Sequence, residues 1–366
     1  MRGVPHDGAP PFGCDGQEQH PGTPTDPRAC RPIVSAMSKM PGQKPVKRRH
    51  HTVPKFYLSR FANERDQIIR VPLPGDKYAT VSTKDASVVK DFYLLETEKG
   101  VLTDAVEDAL SEIEGDAAEA FRAVVDLGQW PPTDEQRRAI ATWAATQHVR
   151  VPRVRQRGDE IADLILKMQV AVGGKPQARE VLEKAEGREV TDKEVEDWWE
   201  EMTDFDSYHV TQHPNSHLRL MSNLIPRTAR HFFSLPWGLI RFSRKALITA
   251  DDPVVLNPRD GASPYEGVGL ATAESFLVPL DRRVALVFNN TVDVDDYEIE
   301  PTAFMANQIN QMVALNAHRA IFHHPDDRPL DRLVIPEPSD RETNPSSGPR
   351  DFLMPDGWPA PGSRNT

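Results

Sequence analysis

Prolines crowd the two ends of this chain, and that distribution fixes where a packed domain can lie. Nine of the 33 fall in residues 1–49 and nine more in 325–366. Proline removes a backbone donor and fixes φ, so such stretches suit neither helix interiors nor central strands. Their composition predicts disorder. Roughly 275 residues remain between them, enough to enclose a sizeable core. The expected organisation is a disordered, partly basic tail over 1–49, a single α+β domain over 50–324 and a second disordered tail over 325–366. Met37 or Met40 is the expected first residue, because the segment before it lacks periodicity. Both cysteines, Cys14 and Cys30, sit in the first tail, which leaves the domain no thiol for a disulfide, a nucleophile or a thiolate zinc site. No apolar run approaches the ~18 residues of a membrane span and no secretory signal is seen, so a soluble, cytoplasmic protein is expected.

Periodicity orders the domain. Ile68–Leu73, Tyr78–Ser82 and Asp91–Leu95 read as an antiparallel meander, the first weakened as a central strand by Pro72 and Pro74. A helical block follows over about 104–233. Val106, Leu110, Ile113, Ala117, Ala120 and Val124 recur at steps of three and four behind an Asp104/Glu107 cap. Thr133 with Gln136 opens a second helix, which Pro152 ends near Val151. Helical pattern resumes over Asp159–Val172, breaks at Gly173-Gly174, and returns through a Thr191/Glu194 cap into Trp198 and Trp199. One more helix, kinked at Pro226, covers about 215–233. The period then becomes two in Trp237–Phe242, Ala246–Ala250, Ser275–Leu280 and Val284–Phe288, the last pair a hairpin about Asp281-Arg282-Arg283. A helix from near Pro301 to about Asn316 and a strand at Ala320–His323 close the domain. The sum is α+β, a mostly antiparallel sheet interrupted by a helical block.

The net charge is −11, and residues 175–206, with twelve acidic and five basic groups, carry −7 of it. Residues 173–206 read as a surface insertion. Two basic clusters stand against it: Lys44, Lys47, Arg48 and Arg49, read as solvated tail, and Arg150, Arg153, Arg155 and Arg157. The chain has no Gly-rich phosphate loop, Gly-x-Ser-x-Gly elbow or His-Glu-x-x-His, which removes support for P-loop, α/β-hydrolase and common zinc-protease mechanisms.

Polar residues on apolar faces are the candidates for chemistry. Trp143, Gln147 and Arg150 share one helical face, where an unpaired amide or guanidinium is costly to bury. They need either a carboxylate of the fold, the favoured reading, or an anionic ligand. Asp251 and Asp252 end an apolar strand, where two carboxylates suit a divalent metal or a base, although Asp-Pro is also an ordinary turn. Strand alternation lets only one of them face a cleft. His50 and His51 precede Val53-Pro54 and suit a base, a metal ligand or a capped polar residue equally. His209, His213 and His217 are spaced by four, but Pro214 breaks the ladder that metal binding would need.

The string His50-His51-Thr52-Val53-Pro54-Lys55-Phe56-Tyr57-Leu58-Ser59-Arg60-Phe61 resembles the opening signature of a bacterial family known as domain of unknown function 4238. Asp91-Phe92-Tyr93, Glu107 to Glu114, Gln147-His148-Val149-Arg150-Val151-Pro152, Thr249 to Val254 and Phe276 to Leu280 agree with its further blocks, over about residues 50–324. Thr52, Ala250 and Asp252 depart from it, standing where an aromatic, a serine and an asparagine are usual. The resemblance implies that His51, Pro54, Gln147, Arg150, Asp251 and Pro253 converge on one site; it implies no mechanism.

Two functions are expected. In the first, a hydrolase of a phosphate-containing substrate, a nucleotide or nucleic acid, holds the anionic group with Gln147 and Arg150, uses Asp251 as metal ligand or base, and moves a proton through His51. In the second, a binding or regulatory module of a defence or stress system keeps the same residues as a buried ion-pair network and meets a protein partner through 175–206.

Overall fold

The computed structural model describes residues 46–338 except 98, 260 and 262–266. The tails, apart from 46–49 and 325–338, lie outside the described residues, and with them both cysteines and the expected starts Met37 and Met40.

Strand β1 (Arg49–His51), the single turn α1 (Lys55–Leu58), and strands β2 (Gln67–Pro72), β3 (Ala79–Ser82), β4 (Val88–Lys90), β5 (Leu95–Glu96) and β6 (Leu102–Thr103) come first. The helical block is α2 (Ala105–Phe121), α3 (Asp134–Arg150), α4 (Pro152–Glu186), α5 (Asp192–Thr203) and α6 (Pro214–Ser234). Then follow β7 (Trp237–Arg241), β8 (Thr249–Ala250), β9 (Val255–Asn257), β10 (Ser275–Pro279), β11 (Val284–Asn289), β12 (Tyr297–Ile299), α7 (Ala303–Asn316) and β13 (Ala320–His323). The class is α+β, as expected.

Five strands pair in the order β12-β7-β11-β10-β9, antiparallel except β12 on β7; four more run antiparallel as β3-β2-β13-β8. Alternation along the larger sheet sends Phe276, Val278, Leu286 and Phe288 into the main core beneath α2, α3 and α6, and Leu277, Ala285, Ile240 and Val255 into a second core against α7. Both faces are thus buried, so these strands are nearly continuous apolar runs in place of the expected period of two. Each fully buried Leu or Phe there contributes about 2 kcal/mol.

Local signals placed the helix ends. Thr133 and Gln136 form a reciprocal capping box, as do Thr191 and Glu194. Val151 is extended (φ −66°, ψ 148°) and Pro152 opens α4. Asp104, expected to cap α2, instead accepts the backbone N–H of Lys47 at 2.9 Å.

Other expectations need correction. Within the expected strand Asp91–Leu95, Asp91–Tyr93 is a turn: Asp91 has φ 59°, tolerable for a short polar side chain, and its carboxylate takes a forked pair of bonds from Arg48. The strand there is β4, paired with β1. β2 is central after all, because Pro72 falls at its last residue, where a missing donor costs little. The basic run is anchored: Lys47, Arg48 and Arg49 pair with Asp108, Asp91 and Asp85. At the other end the described fold extends past 324, where Leu330, Leu333 and Ile335 pack on the second core.

The insertion is larger than expected. Residues 152–213 form a helical arm in which Ala178, Val190, Val195, Leu182, Trp198 and Trp199 make a small core of their own. α4 kinks at Gly174 (φ 63°, ψ −170°). The returning segment is tied to α4 by the Val210 and Gln212 N–H groups donating to Asp163 and Asp159, and by Lys167 Nζ on the Tyr208 carbonyl. Among the described residues no helix is long and apolar enough to cross a membrane.

Candidate functional site

The joint between α3 and α4 gathers most of the singled-out residues. Pro152 forbids helix at Val151, so α3 stops with Arg150 at its end, aimed back into the body. The guanidinium is fully buried. Its Nη1 donates to Glu114 at 2.8 Å, its Nε to the Thr52 carbonyl at 3.0 Å and its Nη2 to the His51 carbonyl at 3.2 Å. The Tyr93 ring lies 5.9 Å away, and the Tyr93 hydroxyl donates to the Arg150 carbonyl. The favoured alternative, a carboxylate of the fold, is therefore the observed one. Arg150 ties α3 to β1 and α2, and its guanidinium faces no solvent through which a solute anion arrives.

His51 comes next to Arg150 through its backbone. Its ring is half-buried, with Nδ1 enclosed and unpartnered; burial pulls its pKa down, Glu114 opposing and Arg150 assisting. His50 is fully buried: Nδ1 accepts the Tyr93 N–H at 2.8 Å, so Nε2 carries the proton it donates to the Lys47 carbonyl at 3.0 Å. Gln147, one turn before Arg150, is fully buried, and neither its amide nitrogen nor its oxygen has a hydrogen-bond partner. Burial also pushes Glu107 up to about 7, against the pull of Arg150.

Asp251 lies elsewhere. It follows β8, and its carboxylate accepts the N–H groups of His318, Arg319 and Ala320 at 3.0, 3.0 and 3.4 Å. Both of its oxygens thereby close the turn between α7 and β13. Among the described residues no three His, Cys, Asp or Glu side chains are grouped to hold a metal ion. Asp252 is the neighbour that turns toward the joint. It is buried, Arg153 on α4 lies 2.5 Å from its Oδ2, and Asn316 donates to its carbonyl. Neither carboxylate oxygen makes an aligned hydrogen bond, so the Arg153 contact is a charge contact rather than a directed bond. Burial pushes this carboxyl up to about 7; Arg153 pulls against that and Asp251 adds to it. Beside them His318 Nε2 meets Gln156 Oε1 at 3.1 Å, and burial with the Arg153 charge drives His148 down to about 4.

Two clusters thus flank the joint, His51, Glu114 and Arg150 on one side, His148, Arg153 and Asp252 on the other. The spaced histidines disperse: His213 caps α6 and bonds Glu96, while His217 is buried against Phe92 with both ring nitrogens unpartnered. Glu114 and His148 were not singled out for chemistry, whereas Asp252 was weighed only as one of a pair with Asp251. Asp252 and Arg153 had a signal, a second carboxylate beside Asp251 and a basic run past the helix end.

A different surface lies on the arm. Leu166, Val170, Val181, Trp198, Trp199 and Met202 line an apolar trough of about 160 Å³ between α4 and α5.

Residues 49–327 match the family described as protein of unknown function, DUF4238. No curated protein and no solved structure matches the chain.

Proposed function

The chain belongs to the DUF4238 family, and from the geometry of its own site we propose that it is a non-catalytic interaction module whose helical arm docks a partner protein. The observation that carries this is the division of labour between the two regions. The two charged residues carried by the family blocks are engaged inside the fold, Arg150 by Glu114 and two carbonyls and Asp251 by three amides, and Gln147 is fully buried. The arm, in contrast, leaves an apolar trough walled by two tryptophans, the side chain most suited to anchoring a partner. A protruding aliphatic or aromatic side chain of the partner fits its size and lining. The test is affinity capture of the full-length chain from its native host beside Val181→Glu, which sets a charge on the trough's rim. Loss of a stoichiometric protein partner, at an unchanged melting temperature, is the expected result; a partner list indifferent to the change overturns the reading.

A second reading, hydrolysis of a phosphate ester in a nucleotide or nucleic acid, is favoured by one observation only: a carboxyl near 7 beside Arg153 suits proton transfer next to an anion. Turnover of phosphoesters by the purified protein, abolished in Asp252→Asn without loss of stability, would establish it and displace the first.

A further inference from the structure

Helix α4 carries an apolar stripe that nothing in the described fold covers. Ile161, Leu164, Ile165, Met168 and Val172 are all exposed, from 39 % at Leu164 to 82 % at Val172. At 100° per residue they fall within one narrow sector of the helix. The opposite sector is where Asp159, Asp163 and Lys167 hold the returning segment. The stripe is therefore on the outer side of the arm, away from the trough. Its extent, on the order of a few hundred Å², is what a monomer seldom leaves bare without a use.

Two properties of the stripe select its occupant. The first is its spacing. Ile161, Ile165, Met168 and Val172 are separated by four, three and four residues, a series that reads the same in both directions. An antiparallel second copy, crossing at the level of residues 166 and 167, then sets Ile161 against Val172 and Ile165 against Met168 twice over, which is the self-complementarity a two-fold interface requires. The second is charge. The base of the arm is basic, with Arg153, Arg155 and Arg157 and no acidic residue from 150 to 158, whereas residues 175–206 carry −7. Arg157 is exposed, stands on the line of the stripe one turn before Ile161, and has no carboxylate in ion-pair reach among the described residues. Antiparallel pairing keeps the two basic bases at opposite ends and opposes the two helix dipoles. Parallel pairing sets like charges together. An anionic lipid surface is repelled by the acidic half.

We infer that the protein self-associates as a two-fold dimer through antiparallel pairing of the first segment of α4, centred between Leu166 and Lys167. This rests on the reading of the arm as an interaction surface and adds to it that the outer side takes a second copy of this chain.

Sedimentation of the full chain over the micromolar range tests the inference. The wild type should be dimeric, with a dissociation constant that rises at high salt. Ile165→Glu with Met168→Glu should raise that constant by at least about 100-fold. Both positions are exposed, so circular dichroism and melting temperature should not change. Register is tested by oxidation in a Cys14→Ser, Cys30→Ser background: Ile161→Cys with Val172→Cys should cross-link two copies, and neither single variant should. A monomeric wild type, a dimer indifferent to the glutamates, or cross-linking by the single variants each overturns it. If the chain is a monomer yet Val181→Glu still loses a protein partner, the proposed function stands and this inference alone fails; a dimer whose trough binds nothing gives the reverse.

Discussion

Arg150 is fully buried and donates to two carbonyl oxygens and to Glu114, whose side chain is 26 % exposed, so removing the guanidinium leaves three acceptors without their donor. Arg150→Met should therefore lower stability by about 3–5 kcal/mol, read by urea denaturation. A loss near zero would mean that the network is replaceable by packing. His217 is the converse case, a buried ring with two unpartnered nitrogens between Phe92 and the field of Arg155. His217→Phe should raise stability by about 1–2 kcal/mol, and by more at pH 5 than at neutrality. Sequence made the burden of Gln147 and Arg150 legible, because a helical period puts them on an apolar face. It hid how Arg150 is relieved: the partners are a carboxylate 36 residues away and a carbonyl 99 residues away. Asp251 was illegible for a different reason. Its partners are backbone N–H groups, which every residue but proline offers and no side-chain pattern announces.

Elements whose limits are set by neighbours in the chain were the most legible. The two threonine capping boxes, the stop before Pro152 and the break at Gly173-Gly174 all depend on contacts within four residues. Strands β9 and β12 were missed, since three residues hold no period and only their pairing with β10 and β7 defines them. Gly174 combines φ 63° with ψ −170°, a region that a Cβ makes costly. Gly174→Ala should destabilise the arm by about 1–3 kcal/mol while sparing the sheets. Amide exchange resolved by peptide checks this: faster exchange over 175–203 with no change in β7, β10 and β11 is expected.

For the whole molecule, opposing titrations share one pH window. His148 and His217 sit near 4 against an ordinary 6.5, so the folded state holds fewer protons and loses stability as pH falls from about 6.5 to 4. Glu107 and Asp252 sit near 7 against 4.5 and 3.8. Here the folded state holds more protons, and their contribution is lost as pH rises from about 4 to 7. The two slopes offset each other. Asp252→Asn removes one falling limb, so its stability should climb more steeply between pH 5 and 7 than that of the parent; parallel urea midpoints for the two would remove Asp252 from the balance.

Only Val151 and Pro152 separate two clamped arginines, Arg150 locked to α2 and β1 and Arg153 held against Asp252. A beam fixed on both sides of its hinge does not swing. The straight run of α4 from Pro152 to Gly173 is about 33 Å long, so joining two such beams makes a ruler: whatever each body carries is kept at a set distance and facing from its twin.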